Sequence, residues 1–133
     1  MGPAYRFPQE IRQPAHDTVL VNTDNAQLLE QHFSSFIPDL AQRQPCAAVV
    51  QNDQAVAVCF CARTNDEASE AGLETHIDFR GRGFGQAVVL AWALAVRKRG
   101  RSPLYSTSWD NIASQALAKK LGLVQYGTVL HFR

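Results

Sequence analysis

The hydrophobic pattern in the middle of the chain predicts a β-hairpin. Two apolar runs, residues 47–50 and 55–62, flank the polar stretch 51–54, which has the composition of a tight turn. In the second run large apolar residues alternate with small ones, so both faces of the strand are hydrophobic. A strand of this kind belongs in the centre of a sheet that is covered on both sides.

The second half of the chain alternates between helical and strand periods. Apolar residues at helical spacing mark residues 87–96, and such a stripe is more typical of a core-facing helix than of a ligand site. A later helix can be capped by Asp110 or Asn111 and ends before Gly122, which suits the left-handed position after a helix. Strands are predicted at residues 68–75, 104–108 and 123–132, the last interrupted by a bulge at Gly127.

The first part of the chain has weaker signals. Residues 1–17 contain three prolines and no hydrophobic period, so we expect an extended N-terminal arm followed by one domain over residues 18–133. The elements predicted there are a strand at 18–21, a helix from a Thr23 or Asp24 cap to about Phe33, and a helical turn around Pro38.

The order of these elements indicates a mixed α/β fold, with a central sheet and helices on both of its faces. The chain has 133 residues, of which 46% are hydrophobic and 19% charged, enough for one packed domain. Its net charge is only +1, which gives no electrostatic signal for nucleic-acid binding. No apolar run is long enough to cross a membrane, so a membrane partner is not expected either.

The cysteines indicate a reducing environment rather than a metal site. There are three, with no Cys-x-x-Cys pair, and the four histidines are scattered. Cys59 and Cys61 point to one face of the predicted strand, where they fit the core of a reduced protein. We therefore expect a cytoplasmic location and no bound metal.

The stretch from Thr75 to Gln86 carries the clearest chemistry. It joins a predicted strand to a predicted helix, and three of its positions, alternating along the loop, are glycine. A helix start presents unpaired N–H groups and the positive end of the helix dipole, and glycines let an anion approach them closely. Arg80 and Arg82 add charge that can pair with phosphate oxygens. This unit therefore predicts a phosphate or pyrophosphate site.

Two of three phosphate-loop classes do not fit these residues. A nucleoside-triphosphate loop needs Gly-Lys-Ser/Thr, but Gly85 is followed by Gln86 and Ala87. A dinucleotide fingerprint needs its last glycine one place later and an acidic residue about 20 positions on, and both are missing. What remains is Arg-x-x-Gly-x-Gly at Arg80, Gly83 and Gly85, which resembles the coenzyme A loop of the GNAT N-acetyltransferase superfamily.

A second motif downstream strengthens this resemblance. Asn111-x-x-Ser114, followed by Leu-Ala-x-Lys-Leu-Gly-Leu, is similar to the next motif of the same superfamily. The resemblance covers roughly residues 47–132 and is sharpest from 72 to 122. It implies a sheet in which two adjacent parallel strands, ending near Thr75 and Ser108, splay apart to admit acetyl-CoA. The cofactor residues that it implies are Leu73, Glu74 and Thr75 for the pantetheine arm, Arg80, Gly81, Arg82, Gly83, Phe84, Gly85 and Gln86 for the pyrophosphate, and Asn111 and Ser114.

The resemblance also implies acetyl transfer to a small-molecule or peptide amine, which needs a base for the incoming ammonium. Glu70 and Glu74 share one face of the predicted strand, and we favour Glu70 because several family members carry a catalytic Glu there. Many members have a Tyr that acts as general acid seven residues after the Asn, and this chain has Ala118 at that position. Tyr105 or Tyr126 can substitute, or the thiolate leaves unaided.

Three departures from the family pattern keep other functions open. Ile77 stands where a proline is common, one strand rather than two follows the last helix, and the start is short, as in the catalytic half of a longer protein. A coenzyme A-binding module without transfer chemistry is one alternative. An interaction domain that pairs through an open sheet edge, for example as a homodimer, is another.

Overall fold

The computed structural model describes residues 2–129, with the side chains of 128 and 129 excepted. The strands are β1 Gly2–Arg6, β2 Val19–Leu20, β3 Ala47–Gln51, β4 Gln54–Thr64, β5 Ala68–Thr75, β6 Ser102–Ser106 and β7 Val124–Val129. The α-helices are α1 Phe84–Lys98 and α2 Ile112–Lys120, and short 3₁₀ helices span Thr23–Leu29, Ser34–Phe36, Leu40–Arg43 and Ile77–Phe79.

In the described chain, all these strands form one sheet in the order β2-β3-β4-β5-β6-β1-β7. Strands β5 and β6 run parallel, and every other neighbouring pair is antiparallel. The connection from β5 to β6 passes through α1, as a parallel pair requires. The predicted mixed α/β class is therefore confirmed.

The predicted hairpin is β3 and β4. Asn52 and Asp53 form its turn with φ of 51° and 62°, a left-handed pair that matches the twist of the flanking strands. Residues 55–61 of β4 are buried on both faces, as a central strand should be. Ala57, Cys59 and Cys61 face the core under α1 and α2, whereas Val58 and Phe60 face the 3₁₀ helices. Helices thus cover both faces, as predicted.

The 3₁₀ side differs from the sequence prediction. The helix expected to continue to Phe33 is a 3₁₀ helix that ends at Leu29, and its cap is Asn22 rather than Thr23 or Asp24. The Asn22 side-chain oxygen accepts from the Asp24 N–H, and the Asn25 side-chain oxygen accepts from the Asn22 N–H. Asn25 itself has φ of −123°, which interrupts the regular helix.

The N-terminal segment is extended, and its first residues lie in the sheet. Strand β1 pairs with both β6 and β7. The rest of the segment crosses the outer side of the two helices. The guanidinium of Arg97 on α1 donates to the carbonyls of Phe7, Pro8 and Gln9, and Arg12 donates to the Lys120 carbonyl at the end of α2.

The last strand contains the predicted bulge. Ala4 pairs with Gly127 and Tyr5 with Gln125, so Tyr126 is the extra residue on β7. The bulge beside Gly127 is therefore confirmed. The predicted continuation of this strand through residues 130–132 lies outside the described residues.

Candidate active site

The parallel strands β5 and β6 separate after a short paired stretch. Their paired residues are Ala68 with Ser102, Ser69 with Pro103, and Glu70 with Leu104. Beyond Glu70, β5 continues beside β4 alone, whereas β6 continues beside β1. One edge of β5, residues 71–75, thus faces an open gap with no strand partner in the described chain. This matches the splay of two parallel strands that the family resemblance implied.

The glycine loop lies at the end of this gap. Gly83 is the N-cap of α1, and its φ of 82° is a left-handed value that favours glycine. The first helical bond within α1 runs from Ala87 N–H to the Gly83 carbonyl. Among the residues that the structure describes, none accepts from the N–H groups of 81–86. Six backbone donors in and just before the first turn of α1 are therefore available to an anion, as at helix starts that bind phosphate groups.

Arg80 and Arg82 hold the loop in shape. The Nε atom of Arg80 lies 3.3 Å from the Thr75 carbonyl oxygen, so it ties the loop to the end of β5. Arg82 donates to the Asp78 carbonyl at 3.4 Å and stacks its guanidinium over the Phe79 ring at 5.1 Å. Both side chains are exposed and retain free donors for an anion.

The N-terminal arm adds a residue that the sequence analysis missed. The His16 ring contacts the Phe84 ring edge-on at 5.0 Å. Its Nε2 atom lies 3.4 Å from the point where a side chain at Gly83 would begin. No local sequence signal identifies His16, because the residue reaches the loop only when the N-terminal arm packs against α1 in the folded protein.

The start of α2 lies beside β6, the strand on the other side of the gap. Asn111 is its N-cap, and the side-chain oxygen accepts from the Ser114 N–H at 3.0 Å. The Asn111 amide nitrogen has no partner within the described part of the chain and is exposed. The Ser114 hydroxyl lies 3.1 Å from the Tyr105 hydroxyl, which links α2 to β6.

The two candidate bases share one face of β5, as predicted, but differ in surroundings. Glu74 is exposed and makes no side-chain hydrogen bond to any described residue. Glu70 is held by Arg63, whose NH2 lies 3.0 Å from Oε1, and by the Ser106 hydroxyl. Glu70, Arg63 and Leu104 line a cavity of about 500 Å³.

Tyr105 lies on the other side of the sheet from Glu70. It is buried in the core that α1 and α2 cover, and burial raises the pKa of its hydroxyl above 10.0. Ala118, at the position where many family members have the general-acid Tyr, is also fully buried. Tyr126 is exposed on the edge strand. The structure therefore brings Tyr105 to Ser114 at the start of α2 but not to either glutamate.

Residues 2–129 present neither a cluster of metal ligands nor a membrane-spanning helix. No cluster of three or more His, Cys, Asp or Glu side chains within these residues has an arrangement suited to a metal ion. No helix in the described chain combines the length and apolar character needed to cross a membrane.

Comparison with known proteins identifies one family. The sequence model of the GNAT acetyltransferases matches residues 7–128. No curated protein sequence matches. Among solved structures, a GNAT-family protein from Novosphingobium aromaticivorans DSM 12444 has a TM-score of 0.76 at 15% identity, covering 96% of this chain and 60% of that one. A GNAT-family acetyltransferase from Colwellia psychrerythraea has a TM-score of 0.74 at 17% identity, over 93% and 52% of the two chains.

A third similar structure contains a ligand. A Salmonella typhimurium protein, solved with its cofactor acetyl-CoA, has a TM-score of 0.64 at 16% identity, over 80% of this chain and 78% of that one. At these identities the similarity shows the fold. The chain spans only 60% and 52% of the Novosphingobium and Colwellia proteins.

Proposed function

Because the chain belongs to the GNAT acetyltransferase family, we propose that it transfers the acetyl group of acetyl-CoA to an amine. The observation that carries this proposal is the gap between β5 and β6, which ends at a helix start with six free N–H groups. An open strand edge suits the amide-containing pantetheine arm of coenzyme A, and the helix start suits the pyrophosphate of the same cofactor. The acceptor is a small-molecule or peptide amine.

The proposed cofactor residues lie on β5, in the glycine loop and at the start of α2. Leu73, Glu74 and Thr75 belong to the unpartnered edge of β5 and pair with the pantetheine arm, and Asn111 and Ser114, at the start of α2, complete the proposed set. The N–H groups of 81–86, with Arg80 and Arg82, bind the pyrophosphate. When bound, acetyl-CoA would supply the activated acetyl thioester.

We assign the base to Glu70 rather than Glu74. Both share the face of the sheet opposite α1, but only Glu70 is fixed by neighbouring side chains and lines the 500 Å³ cavity that an acceptor can enter. Glu70 takes a proton from the acceptor ammonium, and the amine nitrogen then bonds to the acetyl carbon as the bond to sulfur breaks. Tyr105, on the cofactor side, is the available donor for the departing sulfur.

Thiol release from acetyl-CoA, measured across a panel of amines, amino acids, polyamines and peptides, tests the proposal. We expect at least one class of amine to accelerate release and to appear acetylated by mass spectrometry. Replacing the base, as in Glu70→Gln, should lower kcat on the order of 10²–10⁴-fold with cofactor affinity little changed. The matched variant Glu74→Gln tests the alternative base, and normal rates for both variants at neutral pH would exclude a carboxylate base.

A binding module without transfer chemistry is the second candidate. This candidate is supported by Ala118, which places a buried methyl group where many family members carry a general-acid Tyr. Such a protein would bind coenzyme A but release no thiol with any amine. We further propose a cytoplasmic location, because Cys46, Cys59 and Cys61 are free and buried. Homodimerisation through the edge strand β7 is a separate prediction, which a light-scattering measurement of the molar mass in solution can test.

A further inference from the structure

A hydrogen bond joins β5 and β6 where the two strands begin to separate. Glu70 and Leu104 are the last paired residues, and Ser106 lies two positions further on β6, on the same face as Glu70. The Ser106 hydroxyl donates to Oε1 of Glu70. Since Ser106 pairs on its other side with Ala4 of β1, its backbone is fixed by the sheet and not by the loop that follows.

The two oxygens of Glu70 have different surroundings. Oε1 accepts from both Ser106 and the NH2 of Arg63, the latter at 3.0 Å. Oε2 has no hydrogen-bond partner among the described residues. The side chain is 23% exposed, whereas that of Arg63 is 62% exposed and has many more rotamers to choose from than a serine. Ser106 is therefore the better-anchored of the two groups that fix the orientation of the carboxylate.

We propose that Ser106 is a positioning residue, which holds Oε1 of Glu70 so that Oε2 faces the cavity as the proton acceptor. This inference rests on the proposed acetyl transfer. In that reaction the proton moves from the acceptor ammonium to Oε2, the nitrogen lone pair forms the bond to the acetyl carbon, and the electron pair of the broken carbon–sulfur bond leaves on sulfur. Ser106 exchanges no proton in this sequence.

Ser106 has a short side chain on a β strand, so its hydroxyl can take up few positions other than the one that contacts the Glu70 carboxylate. Without the Ser106 hydroxyl, Glu70 is held by the exposed Arg63 side chain alone and samples other rotamers, so fewer turnovers begin with Oε2 correctly placed. The hydroxyl makes no hydrogen bond to any of the proposed cofactor residues. Its loss should therefore lower kcat and leave coenzyme A affinity unchanged.

Three substitutions at and near this position test the inference. Ser106→Ala removes the donor and should lower kcat on the order of 10-fold, as expected for a lost hydrogen bond to a charged group. Ser106→Thr keeps the hydroxyl on a residue suited to strands and should restore kcat to within about threefold. Ser102→Ala is the control, because Ser102 lies on the same strand, is exposed and makes no side-chain hydrogen bond to a described residue.

A double variant separates positioning from a purely structural effect. If Ser106 acts through Glu70, adding Ser106→Ala to Glu70→Gln should cause no further loss of kcat. Separate losses that multiply, or a Ser106→Ala enzyme within twofold of the parent, overturn the proposal, while amine-dependent thiol release by the parent leaves the proposed function standing. Absence of coenzyme A binding to the folded parent protein, measured by calorimetry, overturns both.

Discussion

Asn111 offers the clearest separation of a structural role from a binding role. Its side-chain oxygen caps α2 by accepting from the Ser114 N–H at 3.0 Å, and its amide nitrogen is unpartnered among the described residues, on an exposed side chain. Asn111→Asp keeps the acceptor and removes the donor. Capping strength is nearly equal for the two residues, and a negative charge in this position gains about 0.3–1 kcal/mol from the helix dipole. Stability should therefore be unchanged or slightly higher, with a rise in Tm of at most about 4 °C.

Cofactor affinity should move in the opposite direction. The lost hydrogen bond is worth about 0.5–1.5 kcal/mol, which corresponds to a roughly 3- to 10-fold weaker Kd for coenzyme A. Thermal unfolding and isothermal titration calorimetry on the same preparations measure both quantities. Asn111→Ala, by contrast, should lose about 1 kcal/mol of stability because the cap is gone.

A second capping asparagine supplies the control. Asn22 caps a 3₁₀ helix by accepting from the Asp24 N–H at 2.8 Å. Asn22→Asp should leave the affinity for coenzyme A unchanged. Reduced stability of Asn111→Asp, combined with the parental affinity, would show that Asn111 is only a structural cap and would refute its assignment to the cofactor site.

Three further predictions follow from the loop, the arm and the buried thiols. Gly83→Val should weaken coenzyme A binding more than Arg82→Ala in calorimetry, because φ of 82° disfavours valine and its side chain blocks the N–H groups; normal binding by Gly83→Val would refute the loop assignment. Arg97→Ala should lower the Tm more than Arg99→Ala, since Arg97 donates to three carbonyls of the arm; equal values would show that these bonds contribute little. Burial raises the pKa of the Cys46 thiol from 9.0 to about 12, so above pH 9 the unfolded chain loses a proton that the folded chain keeps. This thiol alone should lower stability by up to about 1.4 kcal/mol per pH unit, so denaturant titrations should show a shallower fall in Cys46→Ala than in the parent.

Local signals in the sequence were sufficient for the cofactor half of the fold. The β3–β4 hairpin, strand β5, the glycine loop and the Asn111 cap each depend on residues close together in the chain, so their patterns are visible without tertiary information. The start of α1 at Phe84, three residues before the predicted start, follows from the left-handed Gly83 cap. The splay of β5 and β6 came from the family resemblance, not from the hydrophobic pattern.

The remainder depends on contacts between distant parts of the chain. Residues 2–6 contain a proline and no alternation, yet they form a central strand because β6 and β7 provide partners on both sides. The approach is close enough that a side chain at Gly2 would overlap the Thr107 carbonyl. The contacts of His16 with the loop and of Ser106 with Glu70 arise in the same way, and no spacing rule reveals them.

The most direct test of the proposed cofactor site is a nuclear magnetic resonance titration of the backbone amides with coenzyme A. The account predicts saturable shifts at the unpaired N–H groups of residues 81–86. Gly100 and Gly122 should not shift, since they have the same left-handed φ but their N–H groups are bonded to Arg97 and Lys119 carbonyls. Saturable binding that leaves the loop amides unmoved, or no binding to the folded protein, would contradict the account.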